Sequence, residues 1–113
     1  MKSVDTITVS ELIRMAENMF GNLVKAVVDV HRNLLVVDAE LHADQEQFLL
    51  ENDSKQVNLW GINLYPEKFG TDEFIEFDLM INIRPKQNNR SRDIEDKSIR
   101  ERITAIVEQK VVP

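Results

Sequence analysis

The stretch Phe74 to Arg92, F-I-E-F-D-L-M-I-N-I-R-P-K-Q-N-N-R-S-R, decides how this chain is read. Ile75, Phe77, Leu79, Ile81 and Ile83 occupy every second position, and a period of 2 sends them to one face of a β-strand. The opposite face carries Glu76, Asp78, Asn82 and Arg84, interrupted by Met80. A strand divided in this way is expected over 74–84, with its apolar face on a core. Pro85 then opens a loop that gathers Lys86, Asn89, Arg90, Ser91 and Arg92.

Upstream, Val57 to Tyr65 is apolar on both faces, as a central strand would be, and Gly61 within it leaves room for a close neighbour. An antiparallel pairing that sets Leu64 against Ile75 and Trp60 against Leu79 also sets Asn63 against Glu76 and Gly61 against Asp78. That hairpin carries a polar patch. An earlier hairpin is predicted from the alternation of Val24, Ala26, Val28 and Val30, followed by that of Leu35, Val37, Ala39 and Leu41. A turn at Arg32-Asn33 pairs Val30 with Leu35 and Lys25 with Glu40.

Helices are signalled at three places. Thr8-Val9-Ser10-Glu11 spells a capping box, and Leu12, Ala16, Met19 and Phe20 follow at helical spacing up to Gly21, which predicts a helix over 9–20. Ala43 to Ser54 reads as a short helix with a cap near Asp44, although Glu46, Phe48 and Leu50 also fit a strand. Asp96 caps a closing helix whose apolar positions are Ile99, Ile103, Ile106 and Val107. Lys2 to Ile7 alternates loosely as an edge strand. The expected fold is a single α+β domain over 1–113. Its mostly antiparallel sheet has four to five strands from two hairpins, and two to three helices pack on one face.

With 113 residues there is enough chain for one core. Cysteine is absent, which excludes disulfides and thiolate metal sites and points to a reducing, cytoplasmic setting. No run is long enough to span a membrane, and Met1 to Asp5 lacks the apolar segment of a signal peptide. The net charge of −6 argues against broad attraction to nucleic acid or anionic lipid.

The strings ELHAD at 40–44, SKQ at 54–56, LWGINLYPE at 59–67, FIEFD at 74–78, MINIRP at 80–85 and NRSR at 89–92 have a common likeness. With ED at 95–96 and IRE at 99–101, they resemble a family of small bacterial and archaeal proteins known only as a domain of unknown function. The resemblance covers most of the chain after Val24 and implies no activity or cofactor. The family pattern has Gly near Asp53 and Pro near Lys97. Their absence here leaves the turn before Ser54 open, while the Pro suits a helix whose first residue is Lys97.

The chemistry-bearing residues concentrate after the last strand. Arg84, Asn89, Arg90, Ser91 and Arg92 supply donors, and guanidinium forks match carboxylate or phosphate oxygens two at a time. Lys55, Asn63, Glu76, Asp78 and His42 complete the candidate ligand-binding set. The bland account of the same loop is a solvated one whose arginines pair with Asp93, Glu95 and Asp96. Two histidines and no cysteine give no basis for a metal site. There is no Gly-rich phosphate loop or nucleophile elbow. The favoured reading is a module that binds an anionic group on a small molecule or partner. A hydrolase using Glu76, Asp78 or His42, with arginines holding substrate charge, is the alternative, and a homodimeric interaction protein the third. Geometry separates them: a pocket joining Arg84 and Arg90 to Glu76 or His42 favours the enzyme, an open basic rim favours binding, and an apolar patch at Trp60 or Tyr65 favours assembly.

Overall fold

The structure is a computed structural model describing residues 1–113. Thr8 caps α1 (Val9–Asn18) through the full capping box: its hydroxyl accepts from the Glu11 N–H at 3.1 Å and the Glu11 carboxylate reaches back. The helix ends two residues before Phe20, and Gly21 follows at φ 91°, its N–H on the Ala16 carbonyl. The expected edge strand is shorter than Lys2 to Ile7. Only β1 (Lys2–Ser3) joins the main sheet, while β2 (Ile7–Thr8) pairs in parallel with a segment at the far end of the chain, β7 (Val111–Val112).

The main sheet is centred on β3 (Val24–Asp29), flanked by β4 (Leu34–Val37) and β5 (Leu59–Leu64). With the short strand β6 (Ile75–Glu76), the order is β1-β4-β3-β5-β6, antiparallel throughout. Two helices, α1 and α3 (Lys97–Lys110), cover one face, where Leu12, Ala16, Ile103, Ile106 and Val107 meet Val24, Ala26, Val28, Trp60, Ile62 and Leu64. The third, α2 (His42–Glu51), covers the other face, because the alternate residues Val27, Val36 and Leu59 point there and enclose Leu49. Asp44 sits in its first turn; the cap position falls on Leu41, which supplies no side-chain bond. No helix is long and apolar enough to cross a membrane.

The first hairpin keeps its strands but shifts its register. Val28 faces Leu35 and Asp29 faces Leu34, while Lys25 lies opposite Asn63 of β5 rather than Glu40. The cause is Asp29, whose Oδ1 accepts the N–H groups of His31 and Arg32 at 2.9 Å each and so lengthens the turn to Val30–Asn33. Asn33 takes the left-handed conformation at φ 57°. Asp29 is fully buried, and its Oδ2 accepts from the Ser54 hydroxyl at 2.7 Å.

The expected strand over 74–84 is corrected more deeply. The pairs Leu64 with Ile75 and Asn63 with Glu76 form as the alternation predicts, and the strand stops there. At Asp78 the backbone turns: the Leu79 N–H bonds the Phe77 carbonyl at 2.9 Å and the Arg92 carbonyl at 3.0 Å. Ile75 and Phe77 therefore pack toward α3, whereas Leu79 and Ile81 lie over Gly61 on the α2 side, and Ile83 is exposed. Asn82 takes the place of a partner strand. Its Oδ1 accepts from the Gly61 N–H and its Nδ2 donates to the Gly61 carbonyl, both at 2.9 Å, so one side-chain amide makes the bonds a strand residue would make.

Candidate functional site

The basic loop lies within this irregular stretch, and the fold distributes its donors inward. Arg84 is only 9% exposed: one terminal nitrogen donates to the Gln56 carbonyl at 2.8 Å, the other reaches Glu46 at 3.2 Å, and the guanidinium covers the Trp60 ring at 4.8 Å. Burial lowers the Arg84 pKa, partly offset by Glu46, yet no guanidinium deprotonates near neutral pH. Asn89 is buried and ties the loop together, donating to the carbonyls of Asn82 at 2.6 Å and Asp93 at 2.7 Å while accepting from the Glu95 N–H at 2.8 Å. Both side chains have partners within the fold.

The N–H groups of Arg90 and Ser91 converge, each donating at 2.8 Å to the same oxygen of Glu95. Converging backbone N–H groups of this kind suit an anion, and within the loop expected to receive one the chain's own carboxylate occupies this pair. Those Ser91 and Arg90 bonds hold the Glu95 carboxyl below its ordinary range, the Ser91 contribution being the larger. Arg92 pairs through Nε with Asp78 at 3.3 Å. Asp96 caps α3 by accepting from the Ser98 N–H at 2.8 Å, as its position before Lys97 predicts.

Glu76, Asn63 and His42 occupy a second place, on the α2 face of the sheet. Glu76 Oε1 accepts from Asn63 Nδ2 at 2.8 Å and from the Tyr65 hydroxyl at 3.0 Å. Burial raises the Tyr65 pKa first, and the adjacent Glu76 adds to it. His42 Nε2 lies 2.9 Å from the Ile62 carbonyl; a carbonyl only accepts, so the proton is on Nε2 and the lone pair on Nδ1. Burial lowers the His42 pKa, opposed by that carbonyl and by Asn63 and reinforced by Lys25. Asp78 does not join Glu76, being held by Arg92, and no group of three or more His, Asp or Glu residues converges anywhere. None of the four main cavities joins Arg84 and Arg90 to Glu76 or His42. Trp60 is 1% exposed and the Tyr65 hydroxyl is bonded to Glu76, so the exposed patch at these rings that would have favoured assembly is not found at Trp60, and Tyr65 is partly covered.

Lys55 belongs to a third place. One depression is lined by His31, Arg32, Asp53 and Lys55, and another by Gln56, Arg84, Lys86 and Gln87. They flank the segment 55–57, and Gln87 donates to the Val57 carbonyl across it at 3.1 Å. Arg32 is anchored on the Asn52 carbonyl at 2.7 Å and the Ser54 hydroxyl at 3.0 Å. Lys55 and Lys86 are exposed and belong to none of the ion pairs of the molecule. Sequence reasoning passed over Arg32, which shares a depression with Lys55, and Gln56, which shares one with Lys86, because both placements depend on folded-back turns; the charge on Lys86 itself was the only local signal.

The fold and this rim define a small α+β domain with an open basic edge. The chain belongs to the family described as "Protein of unknown function (DUF5674)", whose model matches residues 3–110. No curated protein and no solved structure matches it.

Proposed function

We propose that this protein is a binding module for an anionic group on a small molecule or partner, and that the group is received at the rim carrying Lys55 and Lys86. The observation that carries the reading is that these two lysines lack carboxylate partners in a chain of net charge −6, beside Arg32 and Arg84. Exposed charges that no neighbour neutralises keep their field for a ligand. Arg92, by contrast, is already paired with Asp78, and the backbone N–H groups of Arg90 and Ser91 are taken by Glu95, while the Arg90 guanidinium belongs to no ion pair. Their place in the expected site passes to Lys55 and Lys86, with Arg84 as a positioned background charge. The two depressions lie on either side of 55–57, an arrangement suited to a ligand bearing more than one anionic group. The basic rim is open, which favours binding over a hydrolase.

Titration of the intact protein with pyrophosphate and with citrate, followed by amide chemical shifts, tests this. Shifts are expected at 54–58 and 84–87. Lys55→Gln with Lys86→Gln should weaken binding about tenfold, a loss of roughly 1.4 kcal/mol, whereas Arg90→Lys with Arg92→Lys should leave it unchanged. Binding that survives the lysine pair and fails in the arginine pair would return the site to the loop. No response to either anion would remove the reading.

A further inference from the structure

A cavity of about 410 Å³ opens on another part of the surface, between the C-terminal half of α3 and the loop from β5 to β6. Its apolar wall is aromatic. Phe69 and Phe74 stand edge to face with ring centroids 5.2 Å apart, and Phe77, half-buried against the core, contributes a third ring. The polar lining includes Asp72 and Glu108, and neither carboxylate belongs to an ion pair. No lysine or arginine lines the cavity. Lys68, the cation of this loop, is held at 2.8 Å by Glu73 and lies over the Tyr65 ring.

We propose that this cavity binds a small organic cation, an ammonium group carried on an apolar body. Aromatic rings present negative potential at their faces, so three of them around one space favour a cation that also has apolar surface to bury. Two unpaired carboxylates supply the opposite charge, and the C-terminal end of α3 adds the negative end of the helix dipole. The volume lies within the range of small-molecule sites, which is roughly 300–1,000 Å³. An anionic ligand would meet only repulsion here. A neutral apolar one would leave both carboxylates uncompensated. This site is independent of the basic rim, and the two stand or fall separately.

The test is an amide chemical-shift titration of the intact protein with phenethylammonium, 2-phenylethanol and phenylacetate, which share a ring and differ in charge, together with ethylammonium, which lacks the ring. Phenethylammonium is expected to give saturating shifts at 74–77 and 104–108. The alcohol should bind about three- to tenfold more weakly or not at all, the range that a cation over aromatic rings contributes, and ethylammonium, which has no ring to bury, should also bind more weakly or not at all. Phenylacetate should not bind. Glu108→Gln, an exposed change on α3 that leaves the core alone, should weaken phenethylammonium binding and leave any binding of the alcohol as it was. Phe77→Ala should weaken both. Equal binding of the alcohol and the ammonium would overturn the proposal by showing an apolar cleft without charge preference, and equal binding of ethylammonium would show attraction by charge alone. An absence of saturating shifts at those amides with phenethylammonium would also overturn it, as would Glu108→Gln without effect.

Discussion

Leu59–Leu64 and Ile75–Ile83 are neighbouring segments with regularly spaced apolar residues, and they end as different structures. The first runs as a strand for its whole length, bonded to β3 along one side, with all six of its residues buried. The second pairs for two residues and then leaves the sheet. What separates them is the bonding of their edges. β5 has a continuous backbone partner on the β3 side, and on its other side Asn82 offers Gly61 a side-chain amide where a strand would offer a peptide. Once that amide is seated, the backbone of 77–83 is free to turn, and Leu79 and Ile81 swing onto the open face of Gly61. Alternation identifies a segment able to form a strand; the long-range bonds decide whether it does.

The largest way to break this contrast is to remove Asn82. The residue is fully buried, and its side chain bonds Gly61 twice and the Phe77 carbonyl once. Asn82→Ala leaves the Gly61 N–H and carbonyl buried without partners. The expected loss is about 3–5 kcal/mol, given roughly 1–3 kcal/mol for each buried group left unpaired, read from denaturant melts. A loss under about 1 kcal/mol would mean that 77–83 re-pairs as an ordinary strand, and the contrast between the two segments would then shrink.

A smaller effect is expected at Gly61. A Cβ there would overlap Ile81 Cγ2 and touch the His42 ring, so Gly61→Ala should cost about 1–3 kcal/mol through overpacking. The same change in an Ile81→Ala background should cost at least about 0.5 kcal/mol less, because the atom it meets has gone. Additive losses in the double-mutant cycle would show that Ile81 does not lie on β5.

These contacts mark the limit of what local sequence carries. Thr8 with Glu11, the cap at Asp96, the approach to Gly61 and the pairing of Asn63 with Glu76 were all legible, since each depends on neighbours in sequence or on one strand offset. The first hairpin slipped by two residues because the Asp29 carboxylate, a side chain on an otherwise apolar strand, sets the turn. Asp53 is a finer case. It holds φ 77°, the left-handed conformation for which the glycine of the family pattern is suited, so the position was legible in the pattern although the residue differs. The candidate site suffered most. Spacing grouped the cations of 84–92, but Arg84 and Arg92 are taken by Glu46 and Asp78, and Glu95 takes the backbone N–H groups of Arg90 and Ser91. Lys55 and Lys86 reach the two depressions on either side of 55–57 only through the turns around 55–57 and 85–87.

The smallest expected effect sharpens the comparison at the far end of the irregular segment, where Glu95 closes the loop on Arg90 and Ser91. Its carboxyl is held below the ordinary value of 4.5 in the folded state. A carboxyl whose folded pKa is depressed binds fewer protons folded than unfolded, so its contribution to stability is fully present above pH 4.5 and is lost as the pH falls through the folded value. Glu95→Gln removes that contribution. The variant should lose a little stability at neutral pH and show a flatter decline in acid, the two melting curves converging as pH falls. Glu95 is fully exposed, so solvent screening keeps the effect modest. The same variant frees the Arg90 and Ser91 N–H pair of its carboxylate, and added phosphate is then expected to shift those two amides but to leave them unshifted in the native protein. Parallel stability curves, or phosphate shifts at Arg90 and Ser91 with Glu95 intact, would show that the carboxylate does not fill the loop in solution, and would make 89–92 available to an outside anion after all.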